Sequence, residues 1–311
     1  MIAIGAWFGG VWRVARLPWL VALAYAALLV MTVPLGLILH RELPPPSQPL
    51  VIEPGSGPAP NLDWLDEVTA NRGGLIGTIA PAVIGVAAPL DNLDRLLDRR
   101  RPPMFAIVLS SLSLIVWAWL WGGIISRVAG APRAFVAACG QSFAPILTVS
   151  IAGVITAIAL FATLHPLLFD VILPAVTAGA SERTAFAWRV ALAFPFIATL
   201  TMTTLIADYA RMSLALNEAT SMRAAIANAL KLIRGNPIAV LSVVALSAGA
   251  LAGLLVTYGA FEFIPGGSVP TLRRVILLGQ AFILTRIVLR LVNAAAQVVL
   301  YQRITLREAT R

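Results

Sequence analysis

The sequence is poor in most of what soluble chemistry uses. It has one cysteine, Cys139, and two histidines, His40 and His165. A single thiol excludes an internal disulfide, and so few Cys and His side chains cannot hold a structural zinc. Charge is scarce as well: 12% of the 311 residues are Asp, Glu, Lys or Arg, against about 25% in a soluble domain. There is no GxGxxG, GxxxxGK[ST], HExxH or GxSxG, so nucleotide-binding, metalloprotease and hydrolase chemistries lack their geometry. No catalytic residue, cofactor or metal is expected, and the chain is read as a non-enzyme.

What is abundant is apolar surface, with 59% of residues hydrophobic. The net charge of +9 does not point to nucleic acid, because the basic residues are scattered between apolar runs rather than gathered on one soluble face. A membrane surface explains the excess. The runs Pro18 to Leu39, Met104 to Ile125, Phe143 to Thr163, Phe186 to about Leu216, Pro237 to Ala260 and Val275 to Leu300 are each long enough to cross a hydrocarbon core about 30 Å thick. The expected fold is all-α: a polytopic transmembrane helical bundle of six spans, with a proline-rich extracytoplasmic loop and short interfacial helices. Its parts are an interfacial N-terminus and first transmembrane helix (1–40), an extracytoplasmic loop (41–103) and a five-helix membrane domain (104–311).

The first apolar run is too long for a signal peptide and has no convincing small-residue cleavage site, so it reads as an uncleaved span with Trp7, Phe8, Val11 and Trp12 in the interface before it. Within 41–103, ELPPPSQP and PGSGPAP read as an extended linker. The segment 75–90 is short and carries Pro81 and Pro89, which suits an interfacial or re-entrant piece. Asp63, Asp66 and Glu67 cluster there as a solvated face. Basic residues flanking the spans set the orientation. With the N-terminus inside, the cytoplasmic side holds Arg13, Arg16, Arg127, Arg133, Arg211, Arg223, Lys231, Arg234, Arg303, Arg307 and Arg311. The opposite short loops hold Arg183, Arg189, Arg273 and Arg274. Both termini are therefore expected in the cytoplasm.

Spans two and three, and then four and five, form a weak repeat in which each hairpin enters from outside and has an amphipathic cytoplasmic connector. In the second connector, Thr220 or Ser221 is a suitable N-cap, Gly235 a C′ residue and Pro237 the start of the next helix. Met222, Ile226, Leu230 and Ile233 share one side, and Arg223, Lys231 and Arg234 can meet anionic headgroups, so this helix is expected to lie flat on the cytoplasmic leaflet. WGGIISR (Trp121–Arg127) closes span two, DYARMSLALNEA (Asp208–Ala219) closes span four, and Gln280, Arg286, Arg290 and Gln297 mark the last helix. In these features the chain resembles an uncharacterised family of bacterial multi-spanning inner-membrane proteins. The resemblance implies the topology and no activity.

The strongest functional signal is in the last span. Arg286, Arg290, Asn293 and Gln297 fall on one helix face. A guanidinium at the bilayer centre is unfavourable by roughly 2.5 to 3.5 kcal/mol on insertion scales, so the stripe is expected to face protein, a partner or a wet cavity. Asp208 lies at a compatible depth and is the expected ion-pair partner of Arg286 or Arg290; the alternative is an arginine left to bind an anionic group. His165 and Asp170 are read as part of the outer loop after span three. Gly249 and Gly253 have small-xxx-small spacing, read as close helix contact within the chain. Gly122 and Gly123, following Trp117, Trp119 and Trp121, read as an aromatic belt and tight contact.

Two functions follow. One is a non-catalytic integral membrane protein, an accessory or scaffold subunit of a bacterial inner-membrane complex, with membrane lipids and other membrane subunits as partners and no nucleic acid. The other is a transporter or a lipid- or anion-handling permease using the arginine stripe. An isolated Asp208 makes a poor proton relay, and broken helices in corresponding positions of the two halves are missing, which favours the first.

Overall fold

The computed structural model describes residues 2–42, 104–216, 219, 221–262 and 272–309. The expectations placed on 43–103, including the segment 75–90 and the Asp63, Asp66 and Glu67 cluster, lie outside the described residues. The described residues form α-helices, with one π segment and no strand: α1 (Ile2–Ala15), α2 (Pro18–Glu42), α3 (Met104–Val128), α4 (Phe135–Pro166) running through the π segment Leu167–Ile172 into α5 (Leu173–Thr177), α6 (Glu182–Ala215), α7 (Met222–Gly235), α8 (Pro237–Glu262) and α9 (Leu272–Ala309). Five stretches are long and apolar enough to cross a membrane: Ile107–Val128, Phe135–Thr177, Glu182–Ala215, Pro237–Ala260 and Leu277–Leu306. A sixth is available if α1 and the first part of α2, bent by 77° where they meet, count as one. Large apolar side chains such as Phe194, Ile238 and Val256 stay exposed on these helices, which suits helices whose outer faces meet lipid, where no hydrophobic drive buries every apolar face.

The chain divides into two compact units. The first comprises residues 3–116 and 242–296. Here α1 presents Ala3, Ala6, Gly10 and Val14 on its buried side. Gly10 explains that choice of small residues: a Cβ there would lie 2.6 Å from Ala296 N and 2.8 Å from Val292 O of α9, so only a hydrogen fits. On the other side of α1, Phe8 and Trp12 are 62% and 60% exposed, and the Arg16 guanidinium lies 4.4 Å from the Trp12 ring centroid, a cation–π contact. Hydrogen bonds and rings tie the remaining helices of this unit: Tyr25 Oη donates to Gln280 Oε1 at 2.6 Å, Ser247 Oγ donates to Asn293 Oδ1 at 2.9 Å, and Tyr258 and Phe282 meet at 4.6 Å. Polar side chains of this kind act as glue between helices where water does not compete.

The second unit comprises residues 117–241 and 297–311. Its α3 and α4 meet through Gly122 and Gly123. A Cβ on Gly122 would lie 2.7 Å from Ala138 O, and one on Gly123 2.5 Å from both Cys139 Sγ and the Phe135 ring. The expected tight contact after the tryptophans is therefore present, with Trp117 buried against Trp121 at 5.4 Å.

Four sequence expectations need correction here. First, the connector between α3 and α4 is a short turn, with Gly130 at φ 77°; the residues from Phe135 on belong to α4. Second, the helix of the third span does not end at Thr163. The apolar helix runs from Phe135 to Thr177, 43 residues or roughly 65 Å at 1.5 Å per residue, about twice the hydrocarbon thickness. Third, His165 is consequently a buried helical residue rather than a loop residue, with its ring among Phe161, Phe169 and Phe196 at 6.0, 4.7 and 5.4 Å. The flanking Leu167, Leu168, Phe169, Val171 and Ile172 supply the apolar surface that carries the helix past two polar residues. Fourth, α7 starts at its expected cap, where Ser221 Oγ accepts from Ala224 N at 3.3 Å, but it ends differently. Gly235 is the last helical residue and Asn236, with φ −140°, is the C-cap, so no left-handed glycine closes this helix.

Candidate functional site

The polar stripe of α9 is graded along the helix. Arg286 and Arg290 are exposed, Asn293 is half-buried and bonded to Ser247, and Gln297 is buried. The first unit thus pairs Asn293 internally and leaves the Arg286 guanidinium on its surface. Among the described residues Arg286 makes no hydrogen bond or ion pair. It lies nine residues into the apolar stretch Leu277–Leu306, or about 14 Å along the axis from Leu277. Its neighbours on the same helix face, Phe282, Ile283 and Leu289, are apolar and half-buried, so the charge stands beside apolar side chains.

Asp208 belongs to the second unit. Its carboxylate accepts from Arg211 Nη1 at 2.7 Å, one turn along the same helix, and the two side chains are only 23% and 19% exposed. Arg211 also donates from Nε to Ser150 Oγ at 3.2 Å, and Ser150 Oγ donates to Ile146 O at 2.8 Å. The arrangement ties α6 to α4 through a charge-assisted chain. Sequence reading missed Arg211 as a partner because it was assigned to the cytoplasmic edge by counting; the i,i+3 spacing DYAR was the available signal. Asp208 and the α9 arginines fall in different units, so their expected pairing is a question for coupled substitutions.

Further polar contacts gather at this end of the second unit. Asn228 Nδ2 donates to Ser213 Oγ at 3.2 Å, joining α7 to α6. Gln302 Nε2 donates to Ala129 O at 3.0 Å, and Arg133 Nη1 reaches Ala215 O at 3.5 Å. Tyr209 is fully buried and stacks on Tyr301 at 6.4 Å, while its hydroxyl and that of Ser126 have no partner among the described residues. Buried hydroxyls in that condition are uncommon, and nothing in the sequence marked either one.

On α7, Arg223, Lys231 and Arg234 are exposed as expected. The buried side, however, is Ala225, Ala229, Leu232 and Ile233, turned partly away from the expected row of Met222, Ile226, Leu230 and Ile233, of which Ile233 is buried and the other three are half-buried. Alanine permits closer approach to α6 than the larger residues would, and that decides the rotation. For Gly249 and Gly253, a Cβ on either meets nothing within 4 Å, so among the described residues neither carries a close helix contact. Comparison with known proteins finds no matching family model, curated protein or solved structure.

Proposed function

We propose that the protein is a non-catalytic, multi-pass subunit of a bacterial inner-membrane assembly, with both termini cytoplasmic, and that it grips a neighbouring membrane subunit through the Arg286 region of α9. The observation that carries this reading is the exposed guanidinium about 14 Å into the apolar stretch Leu277–Leu306. Left to acyl chains it costs roughly 2.5 to 3.5 kcal/mol on insertion scales, so it calls for an anionic or carbonyl-rich surface from beyond the described residues, and a neighbouring subunit supplies one in this reading. The open small-residue positions Gly249 and Gly253 in the same unit favour a helix as the visitor, because small residues let a second helix approach closely.

Site-specific photo-crosslinking from Leu289, half-buried and one turn from Arg286 on the same helix face, tests the reading. A protein adduct of defined mass is expected, lost in Arg286→Leu while the purified chain keeps its thermal unfolding midpoint. Adducts to lipid alone, with a monodisperse single chain in mild detergent, would sink the scaffold reading. Loss of anion or lipid uptake in the same variant would favour the permease. Orientation is tested separately with Ala178→Cys and Ala227→Cys, both exposed and lying beyond opposite ends of α6. An impermeant thiol reagent is expected to reach Ala178→Cys in intact cells and Ala227→Cys only after permeabilisation; buried Cys139 gives a quiet background.

A further inference from the structure

We infer that α7 is a seat for anionic phospholipid headgroups, placed at the membrane surface where the α6 and α8 spans emerge. This is independent of Arg286 and of the assembly proposed for α9. Its length of 14 residues corresponds to roughly 21 Å, too short to cross a core of about 30 Å. The helix is bracketed in the chain by two stretches that can cross, Glu182–Ala215 and Pro237–Ala260, so it lies at the level where they end.

The surface of α7 has three zones. Ala225 and Ala229 are fully buried, and the Asn228 to Ser213 hydrogen bond holds the same side to α6. Advancing around the axis at 3.6 residues per turn, the half-buried Ile226 and Leu230 come next, and then the exposed Arg223, Arg234 and Ala227. Lys231 continues the exposed basic surface, and the helix contains no Asp or Glu. Bulk water would leave the Ile226 and Leu230 shoulder wet. Acyl chains would strand the guanidiniums. The boundary layer of an anionic leaflet satisfies both zones at once, with phosphates against the arginines and upper acyl carbons against the shoulder. The rotation of α7 that buries alanine is what brings Leu230 and the two arginines side by side on the free surface.

The full chain carrying Ala227→Cys is reconstituted in nanodiscs of phosphatidylcholine alone or of equimolar phosphatidylcholine and phosphatidylglycerol, and the rate of thiol labelling at this exposed position, on the same side of the helix as the arginines, is compared. Labelling is expected to slow severalfold in the anionic discs, and high salt is expected to remove most of the difference by screening. Arg223→Gln with Arg234→Gln should abolish the difference, and Arg223→Lys with Arg234→Lys should restore it. Equal rates in the two lipids for the unsubstituted arginines overturn the proposal, and this is also the outcome expected if an acidic soluble protein is the real occupant. Retention of the lipid dependence in the glutamine pair overturns it as well. Should that pair fail to fold, the salt arm on the chain with native arginines decides alone: a salt-insensitive difference rejects the headgroup contact.

Discussion

Two consecutive stretches of α9 have opposite relations to their surroundings. From Leu277 to Arg290 the helix carries two exposed arginines among exposed leucines; from Leu291 to Tyr301 every residue except the half-buried Asn293 is buried. The second stretch is built from valine, leucine, alanine and one tyrosine, with Asn293 bonded and Gln297 enclosed. A buried charge is kept when it is paired, and Arg286, on the open stretch, has neither full burial nor a hydrogen bond or ion pair among the described residues. Its location teaches that in this helix the Arg286 charge and the enclosed polar groups Asn293 and Gln297 are separate assignments.

Substitutions can break or sharpen that contrast. The largest effect is expected for Gly10→Val, which drives two methyls into the α9 backbone at Val292 and Ala296; overpacking costs about 1 to 3 kcal/mol where side chains can yield, and a backbone obstacle yields less. Loss of folded protein in detergent is the expected result, and a chain with an unchanged unfolding midpoint would place α1 elsewhere. Next comes Leu291→Ala, expected to destabilise by about 2 to 5 kcal/mol from its fully buried site. Leu284→Ala, at a site 37% exposed, should cost clearly less. Equal losses for the two leucines would erase the distinction between the stretches.

Asp208→Asn is expected to cost on the order of 1 to 3 kcal/mol, because it weakens the compensation of the partly buried Arg211. A double-mutant cycle with Arg290→Gln asks whether Arg290, the last residue of the open stretch, also shares that carboxylate. Coupling above about 0.5 kcal/mol would join them, whereas strict additivity with both Arg290 and Arg286 would leave Arg211 as the partner that matters. The smallest effect on the isolated chain is expected for Arg286→Leu, within about 0.5 kcal/mol, alongside loss of the crosslinked adduct. A large destabilisation of the purified chain would show that Arg286 serves the fold after all.

The spans were legible because length and apolar continuity are the physical requirements of crossing a bilayer, and Pro237 and Ser221 mark helix starts by chemistry that needs no tertiary information. The polar interruption at His165 and Asp170 misled, because a residue-by-residue reading cannot see that Phe161, Phe169 and Phe196 enclose the imidazole. Glycine spacing was ambiguous for a similar reason. Gly122 and Gly249 look alike in sequence, yet one abuts Ala138 and the other meets nothing among the described residues; only the position of a second helix distinguishes them. At the site, the α9 stripe was visible as a pattern, but its division into an exposed and a buried part, and the Arg211 to Ser150 link, depend on neighbours that the sequence does not specify locally.

The fit of Gly10 against Ala296 has a consequence in time. These residues stand at nearly opposite ends of the chain, and synthesis runs at about 5 to 20 residues per second, so α1 waits roughly a quarter of a minute to a minute before its dock exists. During that interval its alanine and glycine side has no α9 to meet, while Phe8, Trp12 and Arg16 on the far side are suited to rest at the bilayer boundary. A helix made so long before its dock is thus late to find its place, and a nascent chain stalled before Ala296 is expected to display α1 undocked to the membrane's quality-control machinery.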